Sequence, residues 1–217
     1  RLGSATEVVD LNADELPDLV VSAPGTVLGT FPGEVRIYHG RSEGFFEEEA
    51  SVLFSGDEAG DRFGRAVESC DYNGDGWMDL AVSASNADSE DLQDAAGVIN
   101  VFLGSASGFS SLPNQRISIS TQSEEGEWAS AELGELGSAM VAADFDGDGV
   151  CDLAASALRP WLGRGYGQFY GSVMIFRGEG VEGASLGGLQ DTPWRGIAVA
   201  SPAPLDSNVL TNYSYFG

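Results

Sequence analysis

The stretch DYNGDGWMD, Asp71 to Asp79, sets oxygen-bearing side chains at its first, third, fifth and ninth positions around two glycines, and the apolar run LAVSA follows from Leu80. Alternating oxygens wrapped about a tight turn suit a hard cation that takes six or more oxygen ligands. The flanking residues show no helical periodicity, and the Glu that a helical calcium loop carries at position 12 is replaced by Val82. Such a loop is expected to sit between strands.

The same pattern occurs three times. One copy runs LGSATEVVDLNADELPDLVVSAP from Leu2 and continues as GEVRIYHG from Gly33. A second runs FGRAVESCDYNGDGWMDLAVSAS from Phe63, then GVINVFLG from Gly97. A third runs LGSAMVAADFDGDGVCDLAASAL from Leu136, then GSVMIFRG from Gly171. The chain ends on Phe216-Gly217, where a fourth copy would begin, giving periods of 61, 73 and 80 residues. Blade-sized repeats are expected over 1–61, 62–134 and 135–215 of a single region, 1–217.

Each copy reads as four short strands. The residues before the loop form the first, and Leu19 to Ala23, Leu80 to Ala84 and Leu153 to Ala157 form the second. Val35 to Tyr38, Ile99 to Phe102 and Val173 to Phe176, rich in β-branched and aromatic residues, form the third. Weaker fourth strands fit Ser51 to Ser55, Arg116 to Ser120 and Gly196 to Ala200. Gly40, Gly104 and Gly178 close the third strands as turn residues. The second and third strands read as apolar on both faces, as expected of small sheets each sandwiched between two neighbours. The fold class is therefore all-β, with β-propeller blades of four antiparallel strands. Three sheets do not close a ring, so the remaining blades are expected from a longer chain or from a second copy. A start at Arg1 without Met, and an end on a bare Phe-Gly, read as a processed or excised piece.

Oxygen ligands are expected from Asp10, Asn12, Asp14 and Asp18, from Asp71, Asn73, Asp75 and Asp79, and from Asp144, Asp146, Asp148 and Asp152. Backbone carbonyls of Leu16, Trp77 and Val150 at position 7 complete the sets. No Cys or His lies at ligand spacing, which disfavours zinc and softer metals and leaves Ca2+ at up to three sites. Glu15 stands where the other loops carry Gly76 and Gly149, so strain of roughly 1 kcal/mol makes the first site the weakest. Like charges crowded into one turn repel, so calcium is expected to stabilise the fold.

These residues resemble the FG-GAP repeat of integrin α-subunit β-propellers. Phe63-Gly64 looks like the FG element, Ser22-Ala23-Pro24 like GAP, and the loops between them like the DxDxDGxxD-type loop. Leu replaces Phe at positions 2 and 136, and GAP has become Ser83-Ala84-Ser85 and Ser156-Ala157-Leu158, changes that weaken the element helping to shape the blade. The resemblance implies an extracellular or cell-surface, calcium-binding propeller used for protein recognition or adhesion. Similar repeats also stand beside enzymes and in sugar-binding propellers.

The 217 residues carry ten Arg, no Lys and 34 acidic residues, a formal charge of -24, which argues against nucleic acid or an anionic membrane surface as partner. No run of about 18 apolar residues is present, so no membrane-spanning helix is expected. Cys70 and Cys151 fit either one disulfide or two buried thiols. In a four-strand meander the carboxylate loops lie opposite the connections between second and third strands. The longest of those, Leu158 to Tyr170, holds Arg159, Trp161, Arg164, Tyr166 and Tyr170, residue types suited to a protein or glycan ligand. No catalytic residues are assigned: His39 aligns with Leu103 and Arg177, a position that reads as tolerant, and acts as a structural or solvated side chain.

Overall fold

The computed structural model describes residues 2–26, 28–88, 95–118, 134–158, 171–181, 187–191 and 195–199. Fourteen strands are found among them. The first sheet is β1 (Thr6–Val9), β2 (Asp18–Pro24), β3 (Gly33–Tyr38) and β4 (Val52–Ser55), paired in chain order and antiparallel throughout. The second, ordered likewise, is β5 (Phe63–Cys70), β6 (Asp79–Ala84), β7 (Val98–Phe102) and β8 (Gln115–Ser118). The third holds β9 (Met140–Ala143), β10 (Asp152–Leu158), β11 (Gly171–Phe176) and, after a two-stranded insert of β12 (Gly178–Glu179) and β13 (Gly188–Leu189), β14 (Arg195–Val199). These are all-β propeller blades in an open arrangement. The expected second, third and fourth strands are found within a residue or two of their sequence bounds, and the short insert was not anticipated.

Two cores lie between the blades. Val20, Val35, Ile37 and Phe54 of the first blade meet Phe63, Leu80, Val82 and Phe102 of the second, with the Phe54 and Phe102 rings 4.1 Å apart. On the other side Ala81, Ile99, Val101 and Ile117 meet Leu153, Ala155, Met174 and Phe176 of the third. Alternate residues of β6 and β7 thus serve opposite cores, and every residue of both strands is buried. Apolar residues on both faces are not confined to this middle blade: β2 buries Val21 and Ala23 opposite Val20, and β10 buries Ala154 opposite Leu153 and Ala155. In β3 burial alternates, because Glu34, Arg36 and Tyr38 share the face turned away from the second blade and Glu34 pairs with Arg36. Beside them on that face, Val8 and Leu53 are exposed.

The blade-to-blade joint is built from the first glycine of each repeat and a serine of the blade before. Gly64 has φ +83°, and a Cβ there would lie 3.1 Å from Ser22 Cβ; at Gly137, with φ +80°, it would lie 2.5 Å from Ser83 Cβ. Within each blade the same serine accepts a hydrogen bond at its Oγ from an N–H in the first strand or just before it: Ala5 to Ser22, Ala66 to Ser83 and Ala139 to Ser156, each 2.9 Å. The departures after Ser83 and Ser156 leave this bond unchanged, so the serine, not the residues following it, carries the element's bonding role. A disulfide links Cys70 to Cys151 across the second and third blades, with their Cα atoms 6.0 Å apart, which resolves the alternatives left by the count.

Candidate metal centre

The three carboxylate loops fold alike. The first Asp of each accepts N–H bonds from positions 5 and 6: Asp14 and Glu15 bond to Asp10, Asp75 and Gly76 to Asp71, Asp148 and Gly149 to Asp144, over 2.8–3.2 Å. The side chain at position 3 accepts the position 5 N–H at 3.1 Å in every loop. The side chain at position 5 accepts the N–H of Leu16, Trp77 or Val150. Each turn is therefore shaped by its own oxygen-bearing side chains at the first, third and fifth positions.

The ninth position does more than the spacing suggests. Asp18, Asp79 and Asp152 open the second strands and are completely buried. One oxygen of each accepts the N–H of the second loop residue, Leu11, Tyr72 or Phe145, at 2.9–3.0 Å. The other accepts the N–H of the glycine after the third strand, Gly40, Gly104 or Gly178, at 2.8–2.9 Å. Those glycines are needed for close approach: a Cβ at Gly40, Gly104 or Gly178 would fall 2.4, 2.3 or 2.2 Å from the carbonyl oxygen of Pro17, Met78 or Cys151. They brace the loop, and the turn role read from sequence does not account for their recurrence. Burial pushes the Asp79 carboxyl up to about 7, with Asp75 and Asp71 adding to it, against the Gly104 and Tyr72 N–H groups that pull it down.

The backbone distinguishes the first loop twice. Glu15 at position 6 has φ +67°, as the sequence implied, and Ala13 at position 4 has φ +58°. The equivalent residues are Gly74 and Gly76 (φ +68° and +91°) and Gly147 and Gly149 (+80° and +93°). Position 4 escaped the sequence reading although Gly74 and Gly147 in the sibling loops gave the same signal there as Gly76 and Gly149 give at position 6.

In the third loop, oxygens of Asp144, Asp146 and Asp152 lie within 4.8 Å of one another. The donor set there and in its siblings is oxygen throughout, and position 7 adds a carbonyl, so the residues present fit a hard divalent cation. Two contacts were missed by sequence. His39 Nδ1 lies 3.2 Å from Asp18 Oδ1, and the Arg177 guanidinium lies against Asp146 and Asp148. The position shared by His39, Leu103 and Arg177 is thus in contact with a loop carboxylate in two blades and is not indifferent. Its basic character beside acidic loops was the available signal. The Asp148 carboxyl is held below the usual range, first by the Val150 N–H and then by Arg177.

The second and third loops are joined. Cys70 precedes Asp71 and Cys151 precedes Asp152, so the disulfide ties their ends, and the Cys151 N–H donates to the Asp71 carbonyl at 3.1 Å. The Val181 N–H donates to the Asn73 carbonyl at 2.9 Å, and Gln115 Oε1 accepts the Leu189 N–H at 3.1 Å, which fastens the β12–β13 insert over the second blade. On the innermost strands Glu7 accepts bonds from Ser69 N–H and Oγ, at 3.1 and 2.6 Å. Burial and the Glu7 carboxylate push Glu68 up to about 7. Arg159, Trp161, Arg164, Tyr166 and Tyr170 lie outside the described residues.

Residues 10–82 match the family model described as FG-GAP-like repeat. The chain is of the integrin-like FG-GAP repeat family. It is 35% identical over 156 residues to integrin alpha-PS5 of Drosophila melanogaster, covering 71% of this chain and 15% of that protein. It is 34% identical over 149 residues to integrin alpha-PS3 of the same organism, covering 68% and 12%. It is also 36% identical over 219 residues to phosphatidylinositol-glycan-specific phospholipase D of Bos taurus, covering 92% of this chain and 24% of the enzyme. The chain thus spans about a quarter or less of the length of these relatives.

Proposed function

We propose that this FG-GAP region is a calcium-stabilised recognition propeller acting outside the cell or at its surface, in protein recognition or adhesion. The observation that carries the reading is the threefold repetition of one hydrogen-bonded carboxylate loop, with buried Asp18, Asp79 and Asp152 bracing the blades. Calcium would be held by Asp10, Asn12, Asp14 and Asp18, by Asp71, Asn73, Asp75 and Asp79, and by Asp144, Asp146, Asp148 and Asp152. The carbonyls of Leu16, Trp77 and Val150 would add a ligand in each loop. Bound there, calcium would neutralise carboxylates that otherwise repel, adding to fold stability by mass action. The disulfide supports an oxidising compartment. No chemistry is assigned to this region itself, and its ligand would be a protein or a glycan, met through the loop that holds Trp161 and its neighbours. The blades needed to close the ring would come from a longer chain or a second copy.

A second reading is favoured by the phospholipase D likeness, which spans more of the chain than the integrin likenesses do. On it the region is an enzyme-associated or carbohydrate-binding propeller, and chemistry belongs to another domain. Calorimetric titration with calcium, followed by melting in calcium and in chelator, tests the shared claim. Absence of binding heat together with equal melting would overturn it. A glycan array then separates the readings: specific sugar binding lost in Trp161→Ala favours the second, whereas a captured protein partner without a sugar signal favours the first.

A further inference from the structure

The third loop differs from its siblings in what lies over it. Arg177 follows β11, and its Nε stands 2.6 Å from Asp146 Oδ2 while a terminal nitrogen stands 3.0 Å from Asp148 Oδ2. Asp146 and Asp148 occupy the third and fifth positions of the loop, and their other oxygens, Oδ1, are already taken by the N–H groups of Asp148 and Val150. The guanidinium therefore holds the one oxygen of each carboxylate that the loop backbone leaves over. A terminal nitrogen hydrogen-bonds Asp148 while Nε makes an ion-pair contact with Asp146, an engagement of two carboxylates by one planar group that neither an ammonium nor an aliphatic side chain reproduces. In the second blade the same position is Leu103, which brings no charge, and in the first His39 lies at the buried Asp18.

We propose that Arg177 is the internal counter-cation of the third loop: it holds Asp146 and Asp148 in place when no metal is bound, and a divalent cation must displace it to use both carboxylates. The inference rests on the reading of the loops as cation sites. Two consequences follow from one substitution, and they have opposite signs. Removing the guanidinium leaves the loop carboxylates without their counter-charge, so the metal-free protein loses stability. It also removes a competitor for two ligand oxygens, so the cation binds more tightly. An arginine that merely props the loop would give the first effect and not the second.

The experiment titrates calcium calorimetrically into the protein and into its Arg177→Leu and Arg177→Lys variants. Asp14→Ala and Asp75→Ala, at two exposed positions, silence the other loops in all three. Melting is recorded for each in chelator and in calcium. Arg177→Leu is expected to bind calcium about three- to tenfold more tightly, the scale of two partly exposed ion pairs, and to melt lower in chelator while gaining more from calcium. Arg177→Lys, which keeps the charge but not the planar group, is expected to fall between. Equal or weaker binding in Arg177→Leu overturns the proposal, as does a lower melting point with an unchanged calcium increment. Absence of binding heat in all three chains and in the unsilenced protein overturns the cation reading itself, an outcome distinct from equal affinity.

Discussion

The Cys70–Cys151 disulfide should be the largest single contributor to the stability of this chain. It closes a loop across a sequence separation of 81 residues. Restricting an unfolded chain over that length removes conformational entropy equivalent to about 4.5 kcal/mol at room temperature. For 217 residues an unfolding entropy of roughly 2 cal/mol/K per residue converts this to a fall of about 10 °C in Tm. The perturbation is the double variant Cys70→Ser, Cys151→Ser, which leaves small polar side chains at two half-buried sites. Thermal unfolding by circular dichroism, in saturating calcium and in chelator, is the assay, and reduction of the unaltered protein should reproduce the shift. Because the bond ties the second and third carboxylate loops, the calcium increment should also shrink in the variant. A Tm shift below about 2 °C in both conditions would refute the reasoning, since it would mean either that the thiols are not joined or that the unfolded chain is already restricted there.

Glu15→Gly should stabilise the metal-free protein by about 1 kcal/mol by relieving a left-handed backbone at φ +67°, seen as a Tm rise of a few degrees; no rise would mean the turn relaxes around Glu15. Gly137→Ala should cost about 2–4 kcal/mol, because its Cβ meets Ser83 Cβ at 2.5 Å in a backbone with φ +80°, and denaturant unfolding would measure the loss. For pH, Asp79 and Glu68 both have folded-state values raised to about 7 from ordinary carboxylate values near 4. Their contribution to stability is fully present below the unfolded values and is lost as pH rises through about 7, so the Tm of the metal-free protein should fall between pH 5 and pH 8. A Tm that rises over that interval would contradict this sign.

Much of the architecture was legible because it rests on short-range patterns. Asp at positions 1, 5 and 9 of each loop and the apolar runs after them identified the loops and the second strands directly. What was not legible depended on contacts between distant segments. Nothing near Cys70 points to Cys151, and only the stacking of the second and third blades brings them together. The glycines after the third strands recur because a Cβ would strike a carbonyl 23 to 27 residues away in sequence, at Pro17, Met78 or Cys151. The insert of β12 and β13 is too short to show a period, and it is held by Asn73 and Gln115 of another blade. Glu34 and Arg36 were visible in the sequence. Reading β3 as apolar on both faces passed over them, and among the described residues the first blade packs against a neighbour through one face only.

The count of carboxylates ranks the third loop first, with four against three in the others. Geometry gives a different order. The first loop bends two non-glycine residues, Ala13 and Glu15, into the left-handed region, so its cost lies in the backbone. The third has glycines at both positions but carries Arg177 on two of its oxygens, so its cost lies in the charge that must leave. The second has neither handicap: Gly74 and Gly76 take the strained positions, Leu103 stands where the others have a base, and the disulfide fixes its entry. It is also more deeply buried than the third, since Tyr72 and Asn73 are buried while Phe145, the equivalent of Tyr72, is exposed; Leu11, the equivalent in the first loop, is buried as well. A cation in the second loop would therefore be held by the stiffest frame and against the least competition, and that loop should fill first even though it has one carboxylate fewer than the third.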